Sequence, residues 1–263
     1  MSAHRPRRRF GQHFLTDRSV VERIVAAIAP RPGDVVVEIG PGRGALTGPL
    51  AERVDHLHVI EIDRDLARAL AERFPAERVT VHVGDALAFD YAGLPQPMRL
   101  VGNLPYNIST PLLFGLIPYA ARIRDAHFML QLEVVERMVA PPSTAEYGRL
   151  SVMLQYRFAM ERLLRVPPGA FHPPPKVDSA VVRMIPRPPD ALAARDPAAL
   201  ATVVTAAFTK RRKTLRNALA GIAGVDELAR LGIDARLRPE NLAVADYVAL
   251  ANAVAARGAA PGG

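Results

Sequence analysis

Apolar and polar residues follow two distinct rhythms over the first hundred positions of the chain. Short apolar runs bounded by Gly, Pro or Asp are typical of buried strands, and they span 35–39, 57–62, 79–83 and 98–102. Longer stretches with apolar residues at helical spacing cover 18–29, 45–53 and 64–74. This alternation of strand and helix predicts an α/β fold with a parallel, doubly wound sheet.

The rest of the chain is richer in helical patterns. Helical spacing indicates helices over 110–120 and 125–140, while 150–166 fits both helix and strand patterns. The consecutive prolines within 171–175 predict no regular element there, and a strand is expected over 177–185.

The last part of the chain predicts a separate helical region. Helices are expected at 197–208, 210–220, 226–231 and 239–256. The proline-rich stretch 186–190 is typical of a linker. The pattern therefore predicts two domains: the sheet-containing domain over 1–187 and a small all-helical domain over 188–263.

Four residues with special chemistry fall at the ends of the first four predicted strands: Gly40, Glu61, Asp85 and Asn103. In doubly wound sheets, ligands bind in the crevice outside the carboxyl ends of the strands. We therefore expect these four residues to meet in one pocket, although they are distant in sequence.

The first three of these positions suit a ligand that contains adenosine. The glycine-rich turn 40–44 lets backbone approach a ligand closely, although its third Gly comes one residue too early for the dinucleotide fingerprint. Glu61 can bind both ribose hydroxyls, and Asp85 can accept from an adenine amino group. The alternatives are an ordinary surface acid for Glu61 and a helix N-cap for Asp85. No P-loop is present, so NAD and S-adenosylmethionine are the leading cofactors.

The segment Asn103-Leu104-Pro105-Tyr106 favours S-adenosylmethionine over NAD. The Asn103 amide oxygen accepts a hydrogen bond, and Pro105 fixes the backbone so that neighbouring carbonyls can act as further acceptors. Tyr106 offers a flat face on which a base can stack. Acceptors beside a stacking ring suit a base with an exocyclic amino group. The alternative is a tight turn after a buried strand.

Charge adds a second kind of ligand to this picture. The 263-residue chain has a net charge of +8, concentrated in two clusters without acidic residues. One cluster contains Arg5 and the run Arg7 to Arg9, and the other contains Lys210, Arg211, Arg212, Lys213 and Arg216. A nearly neutral body with concentrated basic patches is typical of a protein that binds a polyanion. The alternative is a basic tail and a solvated helix face.

Other features of the composition exclude several classes of protein. The chain has no Cys, so disulfides and thiolate metal sites are excluded and a reducing compartment is favoured. No apolar run approaches the ~20 residues that span a bilayer. No apolar segment follows the basic N-terminus, so a secretory signal is not expected. We therefore expect a cytoplasmic location.

Together, these motifs resemble the ribosomal RNA adenine dimethyltransferase family. The matching stretches are Gly11–Leu15, Glu38–Gly42, Val59–Asp63, Gly84–Ala86, Gly102–Tyr106, Phe171–Ser179 and Phe208. The resemblance implies a Rossmann-like methyltransferase sheet and S-adenosylmethionine as the cofactor. It also implies N6,N6-dimethylation of two adjacent adenines in the 3′-terminal hairpin loop of 16S rRNA, linked to small-subunit assembly.

The resemblance also implies roles for individual residues. Catalytic roles fall to Asn103, Leu104, Pro105, Tyr106 and Phe171. Cofactor binding falls to His13, Leu15, Gly40, Gly42, Glu61, Ile62, Asp85, Ala86 and Asn103. RNA binding is expected from Arg7, Arg8, Arg9, Lys210, Arg211, Arg212, Lys213 and Arg216. No metal site is expected. One departure is His13, where the family usually carries Asn; both side chains form hydrogen bonds, so the contact is expected to survive.

The predicted partner is 16S rRNA within the 30S subunit or its precursor, bound by a monomer with no membrane involved. Two alternatives belong to other classes of function. The first is a non-catalytic RNA-binding or ribosome-assembly factor on the same fold, which methyl transfer to unmethylated subunits would distinguish. The second is a nucleotide-dependent oxidoreductase, which would bind NAD and not S-adenosylmethionine.

Overall fold

The computed structural model describes residues 13–258 and divides the chain into two compact units. Among the described residues, the first unit contains 13–135 with Ala159–Pro186, and the second contains Glu136–Phe158 with 187–258. The sequence pattern placed one boundary near residue 187, whereas the contacts group 136–158 with the C-terminal helices. The reason is that Tyr147 and Val152 are buried in the apolar core of the second unit.

The first unit is built on a seven-stranded sheet. In chain order, the nine strands among the described residues are β1 (Phe14–Leu15), β2 (Val35–Ile39), β3 (Leu57–Glu61), β4 (Val79–Val83), β5 (Met98–Asn103), β6 (Ile123–Gln131), β7 (Phe158–Val166), β8 (Phe171–His172) and β9 (Ser179–Pro186). The sheet has the order β4-β3-β2-β5-β6-β9-β7, and β1 and β8 form a separate two-stranded sheet. The first five strands in this order are parallel, and β9 is antiparallel to β6. The predicted doubly wound α/β sheet is confirmed.

Among the described residues, five α-helices lie along this part of the chain. They are α1 (Arg18–Ile28), α2 (Thr47–Ala51), α3 (Arg64–Arg73), α4 (Ser109–Gly115) and α5 (Leu132–Val139). Of these, α1 and α3 begin and end close to the predicted positions. Asp17 caps α1 by accepting from the backbone N–H groups of Ser19 and Val20. The helix predicted over 45–53 is shorter, since α2 covers only five residues.

A buried arginine ties the end of α1 to the sheet. The Arg99 guanidinium on β5 donates to the carbonyl oxygens of Ile28 and Ala29 at 2.6 and 3.2 Å, where α1 ends. It also forms ion pairs with Asp34 and Asp125, both at 2.8 Å. These contacts compensate the charge of the Arg99 side chain, which is almost fully buried. Burial of an unpaired cation would cost too much free energy.

The second unit is helical. It contains α6 (Arg149–Arg157), α7 (Pro197–Thr209), α8 (Leu215–Ala218), α9 (Val225–Arg230) and α10 (Val244–Gly258). Helix α7 packs against α10 and α6, and the Phe208 ring contacts the rings of Tyr147 and Tyr247 in the core. Within residues 13–258, no helix is both long and apolar enough to cross a membrane.

Three expectations from the sequence are wrong. Residues 125–131, predicted as helix, belong to the central strand β6, and the helix begins only at Leu132. The run 210–220 is not one helix: residues 210–213 form a turn, in which the Lys213 N–H donates to the Lys210 carbonyl, and α8 follows. Phe171 and His172 form the short strand β8 ahead of the prolines and pair with Leu15 and Phe14.

Candidate active site at the strand ends

A single pocket opens at the carboxyl ends of β2, β3, β4 and β5. It encloses about 190 Å³ and is lined by residues from every predicted motif of the first unit except Phe171–Ser179. The lining includes His13, Leu15, Gly40, Gly42, Glu61, Ile62, Asp85, Ala86, Asn103, Leu104, Pro105 and Tyr106. The structure therefore brings together the four strand-end positions and all but one of the other residues assigned to the cofactor and the target base.

The glycine turn and Glu61 form one structural feature. Gly40 and Gly42 have φ values of 67° and 57°, in the left-handed region that glycine adopts without strain. The Gly42 N–H donates to Oε2 of Glu61 at 3.1 Å, and the Asp63 N–H donates to Oε1 at 2.9 Å. Burial raises the pKa of Glu61, and these two backbone hydrogen bonds oppose the shift.

A second acid in the pocket was not assigned a role from the sequence. Glu38, at the end of β2, is buried and accepts from the Thr47 hydroxyl at 2.7 Å. Burial raises its pKa to about 7; the Thr47 hydrogen bond lowers it and the Glu61 charge adds to the increase. The signal in the sequence was an acid within the otherwise apolar run Val35–Ile39.

The pocket lining also combines an exposed apolar side chain with an acid. Ile62 lines the pocket and is 45% exposed, which is high for an isoleucine next to a buried strand. Asp85 accepts from the Leu87 N–H through Oδ1 at 2.9 Å, and the residues that follow form a turn and not a helix, so this is the bond of an Asx turn. Its second oxygen has no hydrogen-bond partner among the described residues and is available to a ligand.

The orientation of the Asn103 side chain follows from one hydrogen bond. Its amide nitrogen donates to the backbone carbonyl of His13 at 3.0 Å. A carbonyl oxygen only accepts, so the nitrogen is fixed there and Oδ1 is left as an acceptor for a ligand. Gly102 allows this strand end to approach β2, because a Cβ at Gly102 would lie 2.4 Å from the Ile39 carbonyl oxygen.

The backbone after Asn103 has one carbonyl that is already used. The Pro105 carbonyl accepts from the Ile108 N–H at 3.2 Å and from the Ser109 hydroxyl at 3.0 Å. Two donors occupy both lone pairs of this oxygen. The Leu104 carbonyl is therefore the better candidate for a backbone acceptor beside Asn103.

Tyr106 is held at its hydroxyl end. Its OH group and the Ser179 hydroxyl are 2.7 Å apart, at the start of β9. Burial raises the pKa of Tyr106, and the Ser179 hydrogen bond opposes that shift. The ring therefore stays a neutral, half-buried plane beside Asn103.

Phe171 does not line this pocket. It is 4% exposed and packs in the apolar core of the first unit, on β8 beside Leu15. The expectation that Phe171 offers a stacking face is therefore not met in this arrangement. Among residues 13–258, no group of three or more His, Asp or Glu side chains is arranged to hold a metal ion.

The expected RNA-binding residues belong to other parts of the chain. Arg7, Arg8 and Arg9 lie outside the described residues. Lys210, Arg211, Arg212, Lys213 and Arg216 are exposed in the second unit, in and just after the turn that follows α7. Arg211 donates to the Ala145 carbonyl at 2.5 Å and lies 3.8 Å from the Glu240 carboxylate, so part of its role is structural.

Comparison with known proteins identifies the family. A sequence model of the ribosomal RNA adenine dimethylase family matches residues 3–256. This chain belongs to that family. The Ribosomal RNA small subunit methyltransferase A of Chromobacterium violaceum is 62% identical over 260 residues, which cover 98% of this chain and 99% of the relative. The protein of that name from Aromatoleum aromaticum is 61% identical over 257 residues, with 98% and 97% covered.

Solved structures agree with the family assignment. A dimethyladenosine transferase from Plasmodium falciparum matches with a TM-score of 0.81 at 25% identity, over 94% of this chain and 98% of that one. The 23S rRNA methyltransferase ErmE matches with a TM-score of 0.71 at 28% identity, over 92% and 99%. As a member of the dimethylase family, the chain has the predicted methyltransferase fold and enzyme class, and both alternative functions are disfavoured.

Proposed function

We propose that this chain transfers methyl groups from S-adenosylmethionine to N6 of two adjacent adenines in the 3′-terminal hairpin loop of 16S rRNA. The observation that carries the proposal is the orientation of Asn103. Its amide nitrogen is fixed on the His13 carbonyl, so Oδ1 is left as an acceptor in a pocket that also contains Glu61 and Asp85.

The residues at the first three strand ends fit the cofactor. Glu61 is held by two backbone N–H groups and retains lone pairs for the two ribose hydroxyls. Ile62 and Ala86 provide apolar surface for the adenine ring, and the second Asp85 oxygen can accept from the adenine amino group. Gly40 and Gly42 let the backbone approach the rest of the molecule. The cofactor supplies an electrophilic methyl group on a sulfonium.

The residues at the fourth strand end fit an adenine target. Oδ1 of Asn103 and the Leu104 carbonyl would each accept one hydrogen of the N6 amino group. Two acceptors favour a more pyramidal nitrogen, whose lone pair is less delocalised into the ring. Tyr106 supports the base by stacking, which places the nitrogen for in-line attack. No strong base is required before attack, because the nitrogen loses its proton readily once it is methylated.

The protein selects adenines in RNA that is already unpaired. Bases in a hairpin loop are unstacked at little cost, which suits a pocket that must enclose one adenine at a time. The exposed basic turn at 210–213 is the assigned contact to the RNA backbone, together with Arg216 and the N-terminal arginines. We further propose that the protein acts as a cytoplasmic monomer on the small subunit or its precursor.

The deciding experiment is incubation of the protein with unmethylated small subunits and S-adenosylmethionine, followed by mass mapping of the rRNA. The expected result is dimethylation at two neighbouring adenines of one loop. Methylation elsewhere in the rRNA would overturn the target assignment. Binding of subunits without any methyl transfer would support a non-catalytic assembly factor instead.

A further inference from the structure

The ring of His13 lies against the ring of Tyr106. Their centroids are 5.7 Å apart and the planes meet at 30°, a stacked arrangement. We propose that His13 is a positioning residue for the target base. It holds the Tyr106 ring and covers one face of that ring. The inference rests on the proposed function and adds a role on the target side of the pocket to the cofactor-side role implied by the family resemblance.

The orientation of the His13 ring is fixed by its own hydrogen bond. Nδ1 lies 2.8 Å from the carbonyl oxygen of Pro173, in the segment after β8. That oxygen can only accept, so Nδ1 must carry the hydrogen, and in the neutral ring Nε2 is the acceptor. The ring therefore cannot rotate freely about its side-chain bonds while this hydrogen bond is kept.

The backbone of His13 connects the ring to the catalytic amide. Its carbonyl oxygen accepts from Nδ2 of Asn103, so one residue contacts both Tyr106 and Asn103. A shift of His13 would move the acceptor and the stacking face together.

The Tyr106 ring is thus restrained from two sides. Ser179 binds its hydroxyl, and His13 covers one face. A base can stack only on the other face, and so the side from which the adenine is held is defined. An Asn at position 13, the usual residue of the family, could keep an N–H donor near Pro173 but offers no ring to Tyr106.

Two substitutions at position 13 can therefore test the role of the ring and the role of the hydrogen bond separately. The variant His13→Asn keeps a donor and loses the ring, whereas His13→Phe keeps a ring and loses the donor. Because an aromatic pair is worth on the order of a 2- to 10-fold change, His13→Asn is expected to lower kcat/KM for rRNA by roughly that factor. The cofactor Kd should stay within about twofold. His13→Phe should recover most of the loss.

A double-mutant cycle tests whether Tyr106 carries the effect. The comparison is His13→Asn in the wild-type background and in a Tyr106→Leu background. If His13 acts through Tyr106, the second substitution removes the effect of the first. Equal fold-losses in both backgrounds, no loss in the wild-type background, or a loss that follows the cofactor Kd would each overturn the proposal.

A measurement without RNA separates this inference from the proposed function. The measurement is an NMR spectrum of protein with isotope-labelled tyrosine. The ring protons of Tyr106 are expected at high field because of the His13 ring current. Their signal is assigned by its loss in Tyr106→Leu. His13→Asn should move that signal downfield, and an unchanged signal would refute the stacking. Failure of the wild type to methylate rRNA would overturn the proposed function alone.

Discussion

The backbone N–H of Gly42 donates to the Glu61 carboxylate at 3.1 Å and joins the glycine turn after β2 to the acid at the end of β3. The two motifs therefore form one surface, and a change in either is expected to alter cofactor binding.

Glu61→Ala should weaken cofactor binding without affecting RNA binding. The substitution leaves a ribose diol and two backbone N–H groups without an acceptor, which costs roughly 1–3 kcal/mol. Calorimetry with S-adenosylmethionine measures the effect, and Glu52→Ala serves as a control because Glu52 is an exposed acid outside the pocket lining. Equal cofactor Kd values for the two variants would contradict the assignment of Glu61.

Asn103→Ala should reduce methyl transfer by about 10²–10³ while the protein stays folded. One positioned acceptor for the reacting amino group is lost, and such contacts are worth that factor in rate. Single-turnover transfer to unmethylated subunits is the measurement, with the thermal transition as the check on folding. A folded variant with near-normal transfer would rule out this role for Asn103.

Replacement of Lys210, Arg212 and Lys213 by Ala should flatten the salt dependence of RNA binding. Arg211 is left in place because it also binds the Ala145 carbonyl. If all three residues contact phosphates, the slope of log K against log salt should fall by about 2, at ~0.7 per contact on single strands.

The control for this prediction removes three charges from the first unit. It carries Ala at Arg18, Arg23 and Arg31, which are exposed on α1 and the turn after it. Its slope should match that of the wild type. Parallel lines for all three proteins would mean that the basic turn does not contact RNA.

Arg99→Met should lower the free energy of unfolding by about 3–5 kcal/mol. The substitution leaves Asp34 and Asp125 without their buried partner. It also removes the hydrogen bonds that Arg99 donates to the carbonyl oxygens at the end of α1. Arg124→Met is the matched control, because Arg124 pairs with the same Asp34 from a position that is 51% exposed. The exposed pair is worth no more than about 1 kcal/mol, so urea unfolding should separate the two variants clearly.

Glu38→Gln should change how stability depends on pH. The pKa of Glu38 is raised from 4.5 to about 7 by burial, so between these values the folded protein holds a proton that the unfolded chain has released. Stability therefore falls as the pH rises through this window. The glutamine variant lacks this loss.

The advantage of the glutamine variant should grow to about 3 kcal/mol above the window, at about 1.36 kcal/mol per pKa unit. Thr47 can still donate to the glutamine oxygen. Urea unfolding at about pH 4 and pH 8 without cofactor tests the prediction, and the same difference at both pH values would count against it.

The parallel half of the sheet was predictable because each strand is short, apolar and bounded by turn residues. Strand β6 was not, because Phe128, Met129 and Leu130 are all buried and such a continuous apolar run fits a helix equally well. The position of β6 between β5 and β9 decides its conformation, and that is information from tertiary structure.

In the candidate site, too, some features could be predicted from the sequence and others could not. Gly40, Glu61, Asp85 and Asn103 could be brought together from the sequence alone, because parallel strands end on one edge. The burial of Phe171 and the stacking of His13 on Tyr106 could not, since both depend on the pairing of β1 with β8. The turn at 210–213 was also missed, because a run of basic residues has no period that separates a helix from a turn.

The pairing of β1 with β8 also determines when the pocket can be completed during synthesis. His13 and the Pro173 carbonyl that binds it are 160 residues apart in the chain. At typical rates of translation, that distance takes on the order of ten seconds to synthesise. A nascent chain that ends before residue 171 has the glycine turn, Glu61, Asp85 and Asn103, but its N-terminal segment has no strand to pair with. The wall formed by His13, Phe14 and Leu15 is therefore added late, after the rest of the pocket has already been made.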